Sequence, residues 1–302
     1  MHHDERAAIL GVTGFVGHGL PALLAANGLA VTGVSRSGTG AIPGIGRWQT
    51  PDSLDFSGHR VVINLAGESV AQRWSPDTRR RLHESRVDLT RKVVAAIGCL
   101  PAGARPLVLV NASAVGYYGD GGEAVLTESA APGAGYLADL CRDWEAAALE
   151  AEVLGVRVVR LRMGMVLGRG GLAFERLRRV FRLGIGGRLG SGRQWMGWIH
   201  LDDLRAAIVH AAVSETLRGP VNATAPGPVR NTEFTRLLGA ALHRPALLAV
   251  PGIALKLALD GFGAALLESQ RAAPEALVKD GFCFRFPDLA GALENLVKRE
   301  EG

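Results

Sequence analysis

The chain has 302 residues, 48% of them hydrophobic and 21% charged, with 40 glycines and a formal net charge of +5. That much apolar material excludes a disordered chain and suffices for a sizeable core. The basic clusters at Arg79–Arg81 and Arg176–Arg182 are interspersed with acids, which argues against a nucleic-acid partner, and a charge of this size suits anionic phosphate ligands.

Further exclusions come from local features. No apolar run reaches the ~18–20 residues of a membrane span. The longest candidate, Pro251–Leu267, is interrupted by Lys256 and Asp260 and reads as a buried helix, so no membrane partner is expected. The N-terminus lacks a signal-peptide layout. Cys99, Cys141 and Cys283 are far apart and lack metal-ligand spacing; they read as packing residues in a reducing compartment, with no metal. A cytoplasmic location follows as the expectation.

In chain order, Ala7–Leu10 is a short apolar strand ending in glycines, and Phe15–Ala26 reads as a helix. Leu29–Val34 is a second strand, and Val61–Leu65 a third that runs into Ala66 and Gly67. Ser75-Pro76-Asp77 marks a helix start, a capping hydroxyl followed by proline at the first helical position. That helix extends to about Gly98, with room for a break. Pro106–Asn111 is a strand, Tyr136–Gly155 a helix and Val156–Leu161 a strand. Alternation of this kind, with strands apolar throughout, predicts an α/β fold: a Rossmann-type doubly wound parallel sheet covered by helices on both faces.

After Gly168 the rhythm changes. A basic amphipathic stretch, Leu172–Leu183, leads into the glycine-rich loop Gly184–Gly192 and then the strand Trp195–His200. His200, Asp202 and Asp203 read as a strand end, a structural histidine and an aspartate cap on a helix starting near Leu204. Val221–Ala223 is strand-like and Leu289–Val297 a final helix. The expected organisation is a nucleotide-binding domain over 1–166, with 199–224 returning to it, and a smaller, mainly helical substrate-binding part over 167–302.

The first chemical motif is Gly11-Val-Thr13-Gly14-Phe15-Val16-Gly17, between the first strand and the first helix. Gly11 permits the tight turn, Gly14 lets backbone approach a pyrophosphate, and Gly17 lets helix and strand pack closely. A bare glycine triplet is weak; this one stands at the right place in the alternation. The second strand ends Val34-Ser35-Arg36-Ser37, with no acid to bind ribose hydroxyls. Guanidinium and hydroxyl groups there favour a 2′-phosphate, so NADP(H) is the expected cofactor over NAD(H).

Several stretches across nearly the whole chain carry a family resemblance: Gly11–Gly17, Asn64–Glu68, Ser113–Asp120, Cys141–Glu145, Leu161–Gly168, Gly190–Trp195, Trp198–Asp203 and Val221–Asn231. On these the chain resembles an atypical extended short-chain dehydrogenase/reductase. More narrowly, it looks like the nucleoside-diphosphate-sugar epimerase-like "epimerase family protein" subgroup with a C-terminal region of unknown function. The resemblance implies that Asn64, Leu65, Ala66, Gly67 and Glu68 line the cofactor. Ser113 would hold the substrate oxygen, Tyr136 would be the acid/base, and Arg162 would begin a substrate pocket with Tyr117 and Arg193. Arg193 corresponds only loosely, because its spacing to His200 is longer than in sugar-nucleotide enzymes.

The family's Tyr-x-x-x-Lys pair lies one helical turn apart, with the lysine lowering the tyrosine pKa. Here Tyr136 is followed at i+4 by Leu140, which leaves Tyr136 a poor base at neutral pH. Tyr117, Tyr118, Glu68, Asp139 and Arg142 are alternative proton donors, while Trp195 and Trp198 read as a loop anchor or core. The implied function is an NADP(H)-dependent oxidoreductase or epimerase on a small hydroxyl or carbonyl substrate, nucleotide-sugar-like in the nearest case. The alternatives are a non-catalytic NADP(H)-binding redox sensor or interaction module, and a sugar-nucleotide binder without cofactor turnover. Extended members often pair through helices that would start here near Pro76 and Tyr136, which leaves a homodimer open.

Overall fold

Seven parallel strands form the centre of the computed structural model, which describes residues 5–298. They are β1 (Arg6–Leu10), β2 (Ala30–Val34), β3 (Ile45–Gln49), β4 (His59–Asn64), β5 (Val108–Ala114), β6 (Arg157–Met163) and β7 (Gly219–Ala223). Their order across the sheet is 3-2-1-4-5-6-7. β1 is flanked by β2 and β4, both parallel to it. The chain winds outward in both directions from that pair, so a crevice opens beyond the carboxyl ends of β1 and β4, where ligands bind in such sheets.

The central strands carry continuous apolar runs, such as Ala7–Leu10, Val61–Ile63 and Val108–Val110, because helices bury both faces. On one side α1 (Leu20–Ala25) and α6 (Leu201–Val213) cover Ile9, Val31, Ile63 and Val110. On the other, α3 (Leu89–Gly98) and α4 (Tyr136–Leu149) cover Leu10, Val62, Leu109 and Val158. A separate core of Phe174, Phe181, Trp198, Phe234 and Leu293 joins α5 (Leu172–Arg182), α7 (Asn231–Ala241) and the last helix (Leu289–Lys298). β7 pairs with β6, so the segment that includes α6 and β7 rejoins the main sheet.

Several elements differ from the sequence expectation. The first helix begins at Leu20, after a 3-10 turn over Gly17–Gly19; two glycines and Pro21 disfavour an earlier α start. β3 carries no strong apolar signature because it is an edge strand with Gly46 and Arg47 exposed. α2 (Pro76–His83) is capped as expected, Ser75 Oγ accepting the Thr78 N–H at 3.2 Å. The break in the long helix is a π turn over Glu84–Asp88. α4 stops at Leu149, and Gly155 (φ +81°) ends the short 3-10 turn that follows.

α6 starts at Leu201 and is capped by His200, whose Nδ1 accepts from the Asp202 N–H at 3.1 Å. The expected aspartate cap is therefore corrected. Asp203 is buried and instead accepts the backbone N–H groups of Arg285 and Phe286, both at 2.9 Å. The stretch expected to be one buried helix is two helices, α8 (Gly252–Leu259) and α9 (Gly261–Ala265). Asp260 turns between them at φ +54°, and Ile253 and Leu257 are 75% and 73% exposed. Among the described residues no helix is long and apolar enough to cross a membrane.

Candidate functional site

The glycine loop occupies the crevice. Gly11 has φ +78°, and a Cβ there would lie 2.9 Å from the Ala66 nitrogen, so the loop presses against the turn after β4. A Cβ on Gly17 would lie 2.4 Å from the Gly11 carbonyl oxygen. Thr13 and Gly14 stand exposed at the tip, and the Gly14 N–H donates to Gly11 O at 3.0 Å.

Arg205 of α6 braces this loop from beneath, donating to the carbonyls of Phe15 at 2.8 Å and Val16 at 2.9 Å. The Phe15 ring fills the space over Gly168 and Gly171, where an added Cβ would come within 2.8 and 2.5 Å of it. Arg205 was missed from sequence because its partners lie 189 and 190 residues away.

At the end of β2, Ser35 is buried and its hydroxyl donates to the Thr39 carbonyl at 2.9 Å, shaping its own loop. Arg36 is exposed, and no hydrogen bond or ion pair engages its side chain among the described residues. A free guanidinium thus stands where an acid would exclude a 2′-phosphate.

Asn64 is fully buried. Its amide donates to Thr90 Oγ1 at 2.9 Å and Asn111 Oδ1 at 2.8 Å, and Thr90 also accepts the Trp144 indole N–H at 3.0 Å. The Asn64 side chain is thus a brace joining β4, β5, α3 and α4, while Leu65, Ala66 and exposed Gly67 form the turn that meets the glycine loop. Glu68 accepts from Gln72 at 3.2 Å and Arg81 at 3.1 Å, and these bonds hold its carboxyl below the usual range. It is ionised at neutral pH and has no proton to give.

Beyond β5 lies a buried polar network. Ser113 has no exposed surface and donates to Glu145 Oε1 at 2.8 Å. Glu145, itself buried on α4, accepts from Arg162 Nε at 2.8 Å and Nη2 at 2.9 Å, and from Arg160 at 3.1 Å. Arg162 also donates to Tyr118 Oη at 2.9 Å, and Tyr118 in turn donates to Asn222 Oδ1 at 2.7 Å. Burial pushes the Tyr118 phenol up despite the arginine beside it. Both expected site groups, Ser113 and Arg162, are buried and hydrogen-bonded to Glu145. The guanidinium carbon of Arg162 lies 3.5 Å from the ring centroid of half-buried Tyr117.

Tyr136 stands at the start of α4 as expected, with its hydroxyl donating to the Arg79 carbonyl at 3.1 Å. Its ring packs on Trp74 at 5.0 Å and under Arg79 at 4.8 Å, and burial pushes its phenol above the ordinary value. Leu140, 4% exposed, belongs to the core with Trp74, Leu82 and Trp144. Arg193 is exposed, close in sequence to Trp195, which is held between Arg230 and Arg271 and donates to Glu123 at 3.0 Å. Trp195 is thus a loop anchor, and Trp198 is core, donating to Gly227 O at 2.8 Å.

The NAD dependent epimerase/dehydratase family model matches residues 7–222, and a model for a domain of unknown function (DUF1731) matches residues 250–296. The chain is 39% identical to the epimerase family protein SDR39U1 homolog, chloroplastic, of Arabidopsis thaliana, covering 96% of this chain and 86% of that one. It is 41% identical to the epimerase family protein Mb2239 of Mycobacterium bovis, covering 95% of each. The crystal structure of human epimerase family protein SDR39U1 (isoform 2) with NADPH superposes with a TM-score of 0.87 at 33% identity, covering 97% of this chain and 99% of that one.

Proposed function

Because the chain belongs to the NAD dependent epimerase/dehydratase family, we propose that it is an NADP(H)-dependent oxidoreductase or epimerase acting on a small hydroxyl- or carbonyl-bearing substrate of nucleotide-sugar type. The observation that carries the cofactor assignment is the free Arg36 beside a glycine loop in which backbone leaves no room for a Cβ at Gly11 or Gly17. The human relative crystallised with NADPH supports the same choice. The chemistry a bound nicotinamide supplies is hydride transfer to or from a substrate carbon.

The residues of the chain have separable roles in this reading. Thr13 to Gly17 receive the pyrophosphate and Arg36 the 2′-phosphate. The Ser113–Glu145–Arg162 network stiffens the floor and presents Tyr117 to the substrate. Tyr136 Oη keeps its proton at neutral pH, as an ordinary phenol does, and burial raises its pKa further, so it suits donating to a nascent alkoxide in carbonyl reduction better than accepting from an alcohol. The exposed thiols of Cys99 and Cys283 suit a reducing compartment such as the cytoplasm. No nucleic-acid or membrane partner enters this reading, which leaves open a homodimer through α2 and α4.

A second reading, a non-catalytic NADP(H)-binding sensor, is favoured by one observation: Leu140 is core and the Tyr136 hydroxyl is turned to Arg79. Calorimetric titration of NADPH, NADP, NADH and NAD into wild type and Arg36→Ala tests the cofactor. Losing hydrogen bonds to a charged group should weaken the phosphorylated pair about 10- to 150-fold and leave the other two unchanged; equal binding of all four would overturn the assignment. Following NADPH absorbance across a carbonyl panel then separates reductase from sensor. Retained cofactor with sugar isomerisation identifies an epimerase.

A further inference from the structure

One half-buried arginine borders the crevice without a carboxylate to meet it. The π turn Glu84–Asp88 directs Arg86 inward, against the exposed turn after β4. A Cβ on Gly67 would lie only 3.1 Å from its guanidinium carbon. Nη2 donates to the Glu68 carbonyl at 2.8 Å, while Nη1 has only long contacts, 3.4 Å to Leu82 O and 3.5 Å to Ser85 Oγ. The Trp144 indole lies 5.2 Å from it. The Glu68 carboxylate is given to Arg81, and among the described residues no acid pairs with Arg86.

A guanidinium carries five N–H donors and cannot shed its charge. One good acceptor leaves most of that capacity unspent in a partly desolvated place, an arrangement that favours an incoming ligand rich in oxygen. Burial already pushes Arg86 below its ordinary pKa, and Tyr136 feels its charge. Its position specifies which part of a ligand arrives. Arg36 lies at the end of β2, on one side of the glycine loop; Gly67 and Arg86 lie past β4, on the other. A dinucleotide laid across the crevice has its adenosine half over the first side and its nicotinamide half over the second.

Resting on the NADP(H) reading above, we propose that Arg86 clamps the nicotinamide half of the cofactor by hydrogen-bonding the oxygen atoms of its ribose and adjoining phosphate. Arg86 is then a binding residue supplied by a π turn, an irregularity that often marks functional positions in helices.

The test compares two probes, NADPH and adenosine 2′,5′-bisphosphate, which lacks the nicotinamide half, by calorimetric titration of wild type, Arg86→Met and Arg86→Lys. Arg86→Met is expected to weaken NADPH about tenfold or more and leave the bisphosphate unchanged, with Arg86→Lys falling between. Unchanged NADPH affinity in Arg86→Met overturns the proposal, and so does an equal loss for both probes, which marks a structural role. If Arg86→Met does not fold, Arg86→Lys decides alone: a severalfold loss confined to NADPH supports the clamp, and no loss overturns it. Wild type that binds neither probe removes the cofactor reading itself, a distinct outcome.

Discussion

Replacing Glu145 by glutamine removes the negative charge shared by Ser113, Arg160 and Arg162 while nearly keeping its shape. The side chains of Glu145 and Arg162 are each 3% exposed, and that of Arg160 is 14% exposed. Water therefore cannot take over the role of the carboxylate, and the amide would turn N–H donors toward N–H donors. Removing one partner of a buried ion pair costs about 3–5 kcal/mol. With an unfolding entropy near ~2.1 cal/mol/K per residue, a chain of 302 residues loses about 1.6 °C of Tm per kcal/mol. Glu145→Gln should thus lower Tm by about 5–8 °C in scanning calorimetry at neutral pH. Arg162→Met should do likewise, and the double variant should lose less than the sum of the two, since neither charge is then left alone. A shift below about 2 °C for Glu145→Gln, or strict additivity in the double variant, would refute the reasoning.

Other outcomes follow from the same geometry. Gly17→Ala places a Cβ 2.4 Å from a backbone oxygen with no flexible side chain to move; overpacking of about 1–3 kcal/mol and loss of cofactor binding are expected, seen by thermal melts and titration. Leu140→Lys, which writes the family's lysine back, puts an ammonium at a position 4% exposed in the core. It should lower Tm and leave reductase activity no higher than wild type; a stable variant with a gain in activity would contradict the core assignment. Burial, with Asp120 nearby, pushes the Glu268 carboxyl from 4.5 up to about 7. Folding therefore takes up a proton between those values, a contribution complete below the unfolded pKa and lost as pH rises through about 7. Glu268→Gln should match wild type in denaturant melts near about pH 4 and exceed it near about pH 8; an equal difference at both would dismiss the shift.

The periodic and local signals were readable directly from residues. Strands such as Val61–Ile63 are apolar on consecutive positions, which only a sheet covered on both faces tolerates. Ser75 and Pro76 mark a helix start by bonds made within four residues, and the glycine loop announces itself because its backbone geometry depends on neighbours in sequence. Arg36 was legible through what its strand end lacks, an acid. β3 was not, because an edge strand with one exposed face loses the apolar run that identifies the others.

What the sequence by itself determined is the layer architecture, the cofactor crevice and the missing cation after Tyr136. The tertiary structure alone decided which way the polar side chains at the strand ends point. Ser113, Asn64 and Arg162 have the residue types of site groups, yet each is turned inward by a partner 17 to 47 residues away. No local pattern singles out Arg205 or Arg86, yet one braces the glycine loop from 189 residues off and the other lies against Gly67. A side chain's direction follows from where its hydrogen-bonding partners sit in space once it is buried, and that is a property of the folded chain rather than of any window along it.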